Sequence, residues 1–221
     1  MIWAILLLLL NFFISWSNAK YCGRYWSESK AVGGSFRAYV IAGYAMAIAG
    51  FTMVYFYLLS VALPLILPLF MELSNEDLMA IMELSSSMLY ILLVLAIVPS
   101  GFFIWFKSVA NFWEHKTLGN GLVAGYNTFA QFRNTANACR ELPSAFGRVA
   151  SALFGGKGKK KSETYIVLLA ILLLILAIFS GYFTASAIMK KADREYDAFA
   201  SAEEYYKTHQ STTNVARRRR R

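Results

Sequence analysis

From Tyr165 to Met189 the chain runs for 25 residues of mostly Leu, Ile and Ala without one charge. A helix of that length, at about 1.5 Å per residue, covers a hydrocarbon layer of about 30 Å. Backbone in lipid must satisfy its own hydrogen bonds, so the run predicts a transmembrane helix. Three further stretches repeat the argument, at 1–19, 38–70 and 86–106. With 57% hydrophobic and 16% charged residues, the chain lies outside the composition of a soluble globular domain. The expected fold class is therefore an all-α integral membrane protein with four transmembrane helices. Its expected location is the inner or plasma membrane.

Between the third and fourth spans, 107–164 carries nine Lys or Arg against Glu114, Glu141 and Glu163. An excess of that kind in a short loop marks the cytoplasmic side. The basic loop 20–37, with Lys20, Arg24, Lys30 and Arg37, belongs there too, while 71–85 holds Glu72, Glu76, Asp77 and Glu83 and no cation, which fits the outside. A cleaved signal peptide at Met1 to Ala19 is disfavoured, because the basic n-region is missing and cleavage would move these cations outward. Strict alternation then puts the tail 190–221 outside, where its nine cations against five acids conflict with the rule.

Pro64 and Pro68 interrupt the second span, which is expected to run straight to Leu63 and bend beyond it to Phe70. Ser74-Asn75-Glu76-Asp77 reads as a helix cap with acids in the first turn, so a short surface helix is expected before the third span.

Inside the central loop the pattern turns helical. Phe129, Phe132, Ala136 and Cys139 form one stripe, and Arg133, Asn137, Arg140, Ser144 and Arg148 form another. An apolar face beside an arginine-bearing face suits a membrane interface or a partner, and packing of both faces on the cytoplasmic ends of the spans is the alternative. Pro143 is expected to open a second helix. The linker that follows adds Lys157, Lys159, Lys160 and Lys161. Together with Arg133, Arg140 and Arg148 these are the candidate contacts to anionic lipid headgroups or to a partner, each worth about 1 kcal/mol near an anionic surface. Nucleic acid is disfavoured, since the cations cluster beside apolar spans.

The chemistry of an enzyme is missing. Gly155-Gly156-Lys157-Gly158 lacks phosphate-loop spacing, and Gly119-Asn120-Gly121 has no strand before it to make a dinucleotide fingerprint. His115 and His209 lack co-ligands at metal-binding spacing, and no ionisable residue lies in the middle of a span, where a proton relay would need one. No cofactor or metal is expected. Cys22 and Cys139 both fall in segments assigned to the reducing side, so no disulfide is expected.

What the spans do hold is small-residue ladders, which let helix backbones approach. One is Gly43, Ala47 and Gly50 in span two; the other is Ala177, Gly181 and Ala185 in span four. If both spans run outward from the cytoplasm, the ladders sit at different depths and each needs its own partner. Pro99-Ser100-Gly101 is at the level of the first, and Ser85 to Ser87 at the level of the second. The function expected is that of a non-catalytic structural or assembly subunit of a membrane complex, associating with itself or with other membrane subunits, with the central loop as its docking surface. A holin-like pore-former is the alternative.

Overall fold

A computed structural model describes the backbone of 2–154 and 161–218, and side chains over 2–154, 164–201 and at Glu204. All of its elements are helices: α1 (Ile2–Arg24), α2 (Trp26–Val32), α3 (Gly34–Ile66) with a 3-10 turn at Leu67–Leu69, α4 (Asn75–Glu114), α5 (Leu118–Phe154) and α6 (Lys161–Arg218). Four of them contain stretches long and apolar enough to cross a membrane, in α1, α3, α4 and α6.

The boundaries follow local chemistry. Gly33 and Gly34 take φ of 66° and 55°, left-handed values that a side chain resists, and there α2 turns into α3. At the start of α4 the Ser74 hydroxyl accepts from the Asp77 amide at 3.1 Å while the Asp77 carboxylate accepts from the Ser74 amide at 3.1 Å. This reciprocal cap satisfies two orphan donors. The surface helix anticipated there is continuous with the third span. Pro64 does not end α3, which runs on to Ile66, and the 3-10 turn that follows contains Pro68. Pro143 lies inside α5 and opens no second helix.

α1, α3 and α6 form a three-helix core. Ala19, Ala47, Phe51 and Ala185 bury one another at its centre, and Cys22, Val40 and Met189 form a second cluster toward one end. Val40 lies by Met189, Thr52 by Gly181, and Leu63 by Ala170, so positions rising along α3 meet positions falling along α6. The two helices are antiparallel. They are tied by hydrogen bonds from Tyr44 to Ser186 and, at 2.8 Å, from Tyr55 to Thr184. α1 is antiparallel to α3 and donates from Asn11 to the Gly50 carbonyl at 2.9 Å.

α5 explains this arrangement. Its Gly121 lies by Phe112, Gln131 bonds Val98, Tyr90 bonds Asn137, and Val149 packs near Ile81 and Leu84. The helix thus retraces α4 from end to end, about 55 Å for 37 residues. Over 118–154 the segment is a helix along α4 and not a loop held at one end of the bundle. It carries the chain back to the end where Ser74 lies, and α6 starts from there.

Two expectations are corrected in consequence. The ladders of spans two and four come to one depth, because α6 runs opposite to α3, and Ala47 and Ala185 share a cluster, while Gly43 and Gly50 lie against α1. The tail lies at the Gly33 end, beside the basic loop, where Ser27 Oγ donates to Asp193 at 3.1 Å and Tyr196 donates to Glu28. The charge conflict that alternation created disappears.

Candidate functional site

α5 touches the rest of the bundle chiefly through α4, along a seam repeated every seven residues. Ala124, Gln131, Ala138 and Ala145 are its buried positions. Seven residues are close to two helical turns, so the four stack along one line that drifts slowly around the helix. Small side chains there let α5 approach α4. Gln131 is the exception and has a notch built for it: a Cβ on Gly101 would collide with its amide. Seated there, Gln131 Nε2 donates to the Val98 carbonyl at 3.0 Å.

Three more hydrogen bonds fasten the hairpin. Trp105 Nε1 donates to Thr128 Oγ1 at 2.8 Å, Tyr90 donates to the Asn137 carbonyl at 3.2 Å, and Arg148 Nε donates to Ser87 Oγ at 2.9 Å. In an apolar medium such bonds fix register, although each adds only about 0.6 kcal/mol on average.

The seam leaves both predicted stripes of α5 uncovered. Phe129 and Phe132 are 65% and 77% exposed, and Cys139, Arg133 and Arg140 are exposed as well. Arg140 pairs with Glu141 at 2.8 Å. Arg148 stands apart from the other two arginines, since its bond to Ser87 turns it toward α4. Lys157, Lys159 and Lys160 lie outside the described residues, as does the side chain of Lys161.

The ladder residues are distributed over the core. Gly43 lies against the Cys22 sulfur, Gly50 against Ser15 and Asn11, and Gly181 against Thr52, while Ala47 and Ala185 share one cluster and Ala177 is fully buried. Gly101 serves α5, where it faces Gln131.

Sequence reading missed Gln131 and Tyr90, and it did not connect Ser87 or Glu141 with α5 packing. The seven-residue spacing of Ala124, Gln131, Ala138 and Ala145 was the signal that could have found the seam.

At the Gly33 end three lysines lie over tryptophan rings, Lys20 on Trp16 at 5.0 Å, Lys30 on Trp26 at 5.2 Å and Lys116 on Trp113 at 5.9 Å. Such pairs suit the headgroup level, where aromatic belts form. Among the described residues no three His, Cys, Asp or Glu gather in a group that could hold a metal.

Among the described residues the fold is all helical, with four helices long and apolar enough to cross a membrane and a more polar helix strapped to one of them. No family model matches the chain, and comparison with curated proteins and with solved structures finds no similar one.

Proposed function

We propose that the chain is a non-catalytic structural or assembly subunit of a complex in the inner or plasma membrane, and that the exposed faces of α5 are its docking surface. One observation carries this reading. Arg133 stands exposed beside Val98, well inside the apolar run of α4, where Gln131 anchors the seam, and Arg140 follows it toward the Ser74 end. A guanidinium facing lipid at that depth costs about 2.5–3.5 kcal/mol on an insertion scale. Something other than hydrocarbon therefore covers the face in the working state. A partner helix with a carboxylate would pair the arginines bidentately, while the Phe129 and Phe132 rings beside them add apolar area.

The Gly33 end is assigned to the cytoplasm. It carries Lys20, Arg24, Lys30, Arg37, Lys107, Lys116, Lys190, Lys191 and Arg194 before the rest of α6 is counted, and the rule of positive loops favours that side. Anionic headgroups of the inner leaflet fit this end better than they fit α5.

A photocrosslinking residue at Asn137 or Phe132 of the full chain in native membranes tests the docking surface. Discrete protein adducts are expected at both positions, and adducts to lipid alone would overturn the reading. The same arginines favour a second reading, a holin-like pore, because water also satisfies them. Leakage of small dyes from liposomes at low protein load would select it over the first.

A further inference from the structure

Near the Ser74 end, α4 and α5 part to leave a cleft of about 440 Å³ lined by Ser86, Ser87, Tyr90, Glu141, Ser144 and Arg148. Every lining side chain carries a polar group. Two opposite charges share the cleft without pairing with each other. Arg148 is held by Nε to Ser87, which leaves its two Nη groups for a ligand, and Glu141 is bound from outside by Arg140. The two positions lie two turns apart on α5, about 10 Å along its axis.

The hydroxyls decide what fits between them. Ser86 and Ser87 donate to the Glu83 carbonyl, and Ser144 donates to the Glu141 carbonyl, each at 2.9 Å. Tyr90 donates to Asn137. With their protons committed, the serine oxygens face a ligand as acceptors. One end of the cleft thus offers a cationic fork for an anion, and the other a carboxylate with hydroxyl acceptors for an N–H-bearing cation. Glu76 and Glu83 line the neighbouring groove, which shares Ser86, and they oppose a ligand of net negative charge. Ser86 to Tyr90 also sit where α4 passes from its capped polar start into its apolar run, the level of lipid headgroups.

We propose that this cleft binds a phosphoethanolamine group, with the phosphate on Arg148 and the ammonium on Glu141 and the serine oxygens. One short headgroup carries both groups, so its phosphate and its ammonium each meet one of the two charges that line the same cleft. Trimethylated choline has no N–H to give, so the cleft discriminates between the two commonest zwitterionic headgroups.

The test uses the purified full chain in detergent with equimolar phosphatidylethanolamine, phosphatidylcholine and phosphatidylglycerol, read by native mass spectrometry. Retention of phosphatidylethanolamine over phosphatidylcholine by roughly tenfold is expected, as hydrogen bonds to charged groups give. Arg148→Gln should abolish retention of that lipid. Glu141→Gln should keep the phosphate contact and erase the preference over phosphatidylcholine. Ser144→Val, which keeps both charges, should reduce the preference and serves if either charge variant melts early. A parallel titration with soluble phosphoethanolamine separates the sources. Saturable binding of it without lipid retention identifies a free ligand, and lipid retention identifies the membrane. Equal retention of the two zwitterionic lipids with no binding of soluble phosphoethanolamine overturns the proposal, as does a wild-type pattern in Arg148→Gln and Glu141→Gln.

Discussion

Replacing Gly181 by Ala adds one methyl group at a point where α6 has no room for it. A Cβ there would lie 2.6 Å from Thr52 Oγ1, 2.7 Å from Thr52 N and 3.0 Å from Thr52 Cα. The hydroxyl can rotate away, but the other two atoms belong to the backbone of α3. That backbone is itself packed on α1 through Ala47 and Gly50. Restoring an ordinary contact of 3.4 Å to Thr52 N means parting the helices by 0.7 Å, the difference between 3.4 and 2.7 Å. A radial gap of about 0.5–1 Å forfeits a quarter to a half of each neighbouring dispersion well, and overpacking of this kind costs about 1–3 kcal/mol. Alanine's better helix propensity returns up to about 1 kcal/mol. A net destabilisation of about 1–2 kcal/mol is expected for Gly181→Ala, and more for Gly181→Leu. Thermal unfolding in mild detergent, followed by circular dichroism, measures it. Gly147→Ala is the control, since nothing lies within 4 Å of a Cβ there, and a gain of about 0.5–1 kcal/mol is expected from propensity alone. If Gly181→Ala stabilises as Gly147→Ala does, α3 and α6 do not meet as described.

Three further outcomes follow from the packing. Gly101→Ala should expel Gln131 from its notch and lower stability by about 1 kcal/mol, and protease cleavage at 115–118 should speed up as α5 loosens; unchanged cleavage would count against the seam. Asp193→Ala combined with Asp197→Ala removes both carboxylates that face Ser27, and trypsin should then cut the tail faster while the melting temperature moves little. Arg133→Lys with Arg140→Lys should weaken crosslinking from Asn137 several-fold if a carboxylate is gripped bidentately, and leave it unchanged if charge alone matters.

The apolar spans were legible because lipid imposes one requirement, an internally hydrogen-bonded run of about 20 apolar residues. Tyr165 to Met189 and Ser86 to Phe106 satisfy it without ambiguity. The course of α5 was hidden, because its hydropathy belongs to an interface while its partner is a span. Ala124, Ala138 and Ala145 are weak signals singly, and what joins them is contact with α4, which lies elsewhere in the chain. Once 107–164 was taken to stay at one end, α6 was expected to run alongside α3 in the same direction and the tail to start at the end opposite the basic loop 20–37, whereas α6 is antiparallel to α3 and residues 193–197 lie by Ser27. The nine cations at 190–221 were the one sign of this in the sequence. Arg148 was grouped with Arg133 and Arg140 by steps of three and four through Asn137 and Ser144, but only the bond to Ser87 shows that it faces the cleft.

Cysteine labelling of intact cells tests most directly that α5 carries the chain back across the bundle. With Cys139→Ser to remove the exposed native thiol, single cysteines are placed at Asn75, Lys116, Gly158 and Ser201. Asn75 and Gly158 should react together with an impermeant maleimide, while Lys116 and Ser201 should react only after permeabilisation. Protection of Gly158 together with Lys116, while Asn75 reacts, would contradict the account, because α5 would then begin and end on the same side.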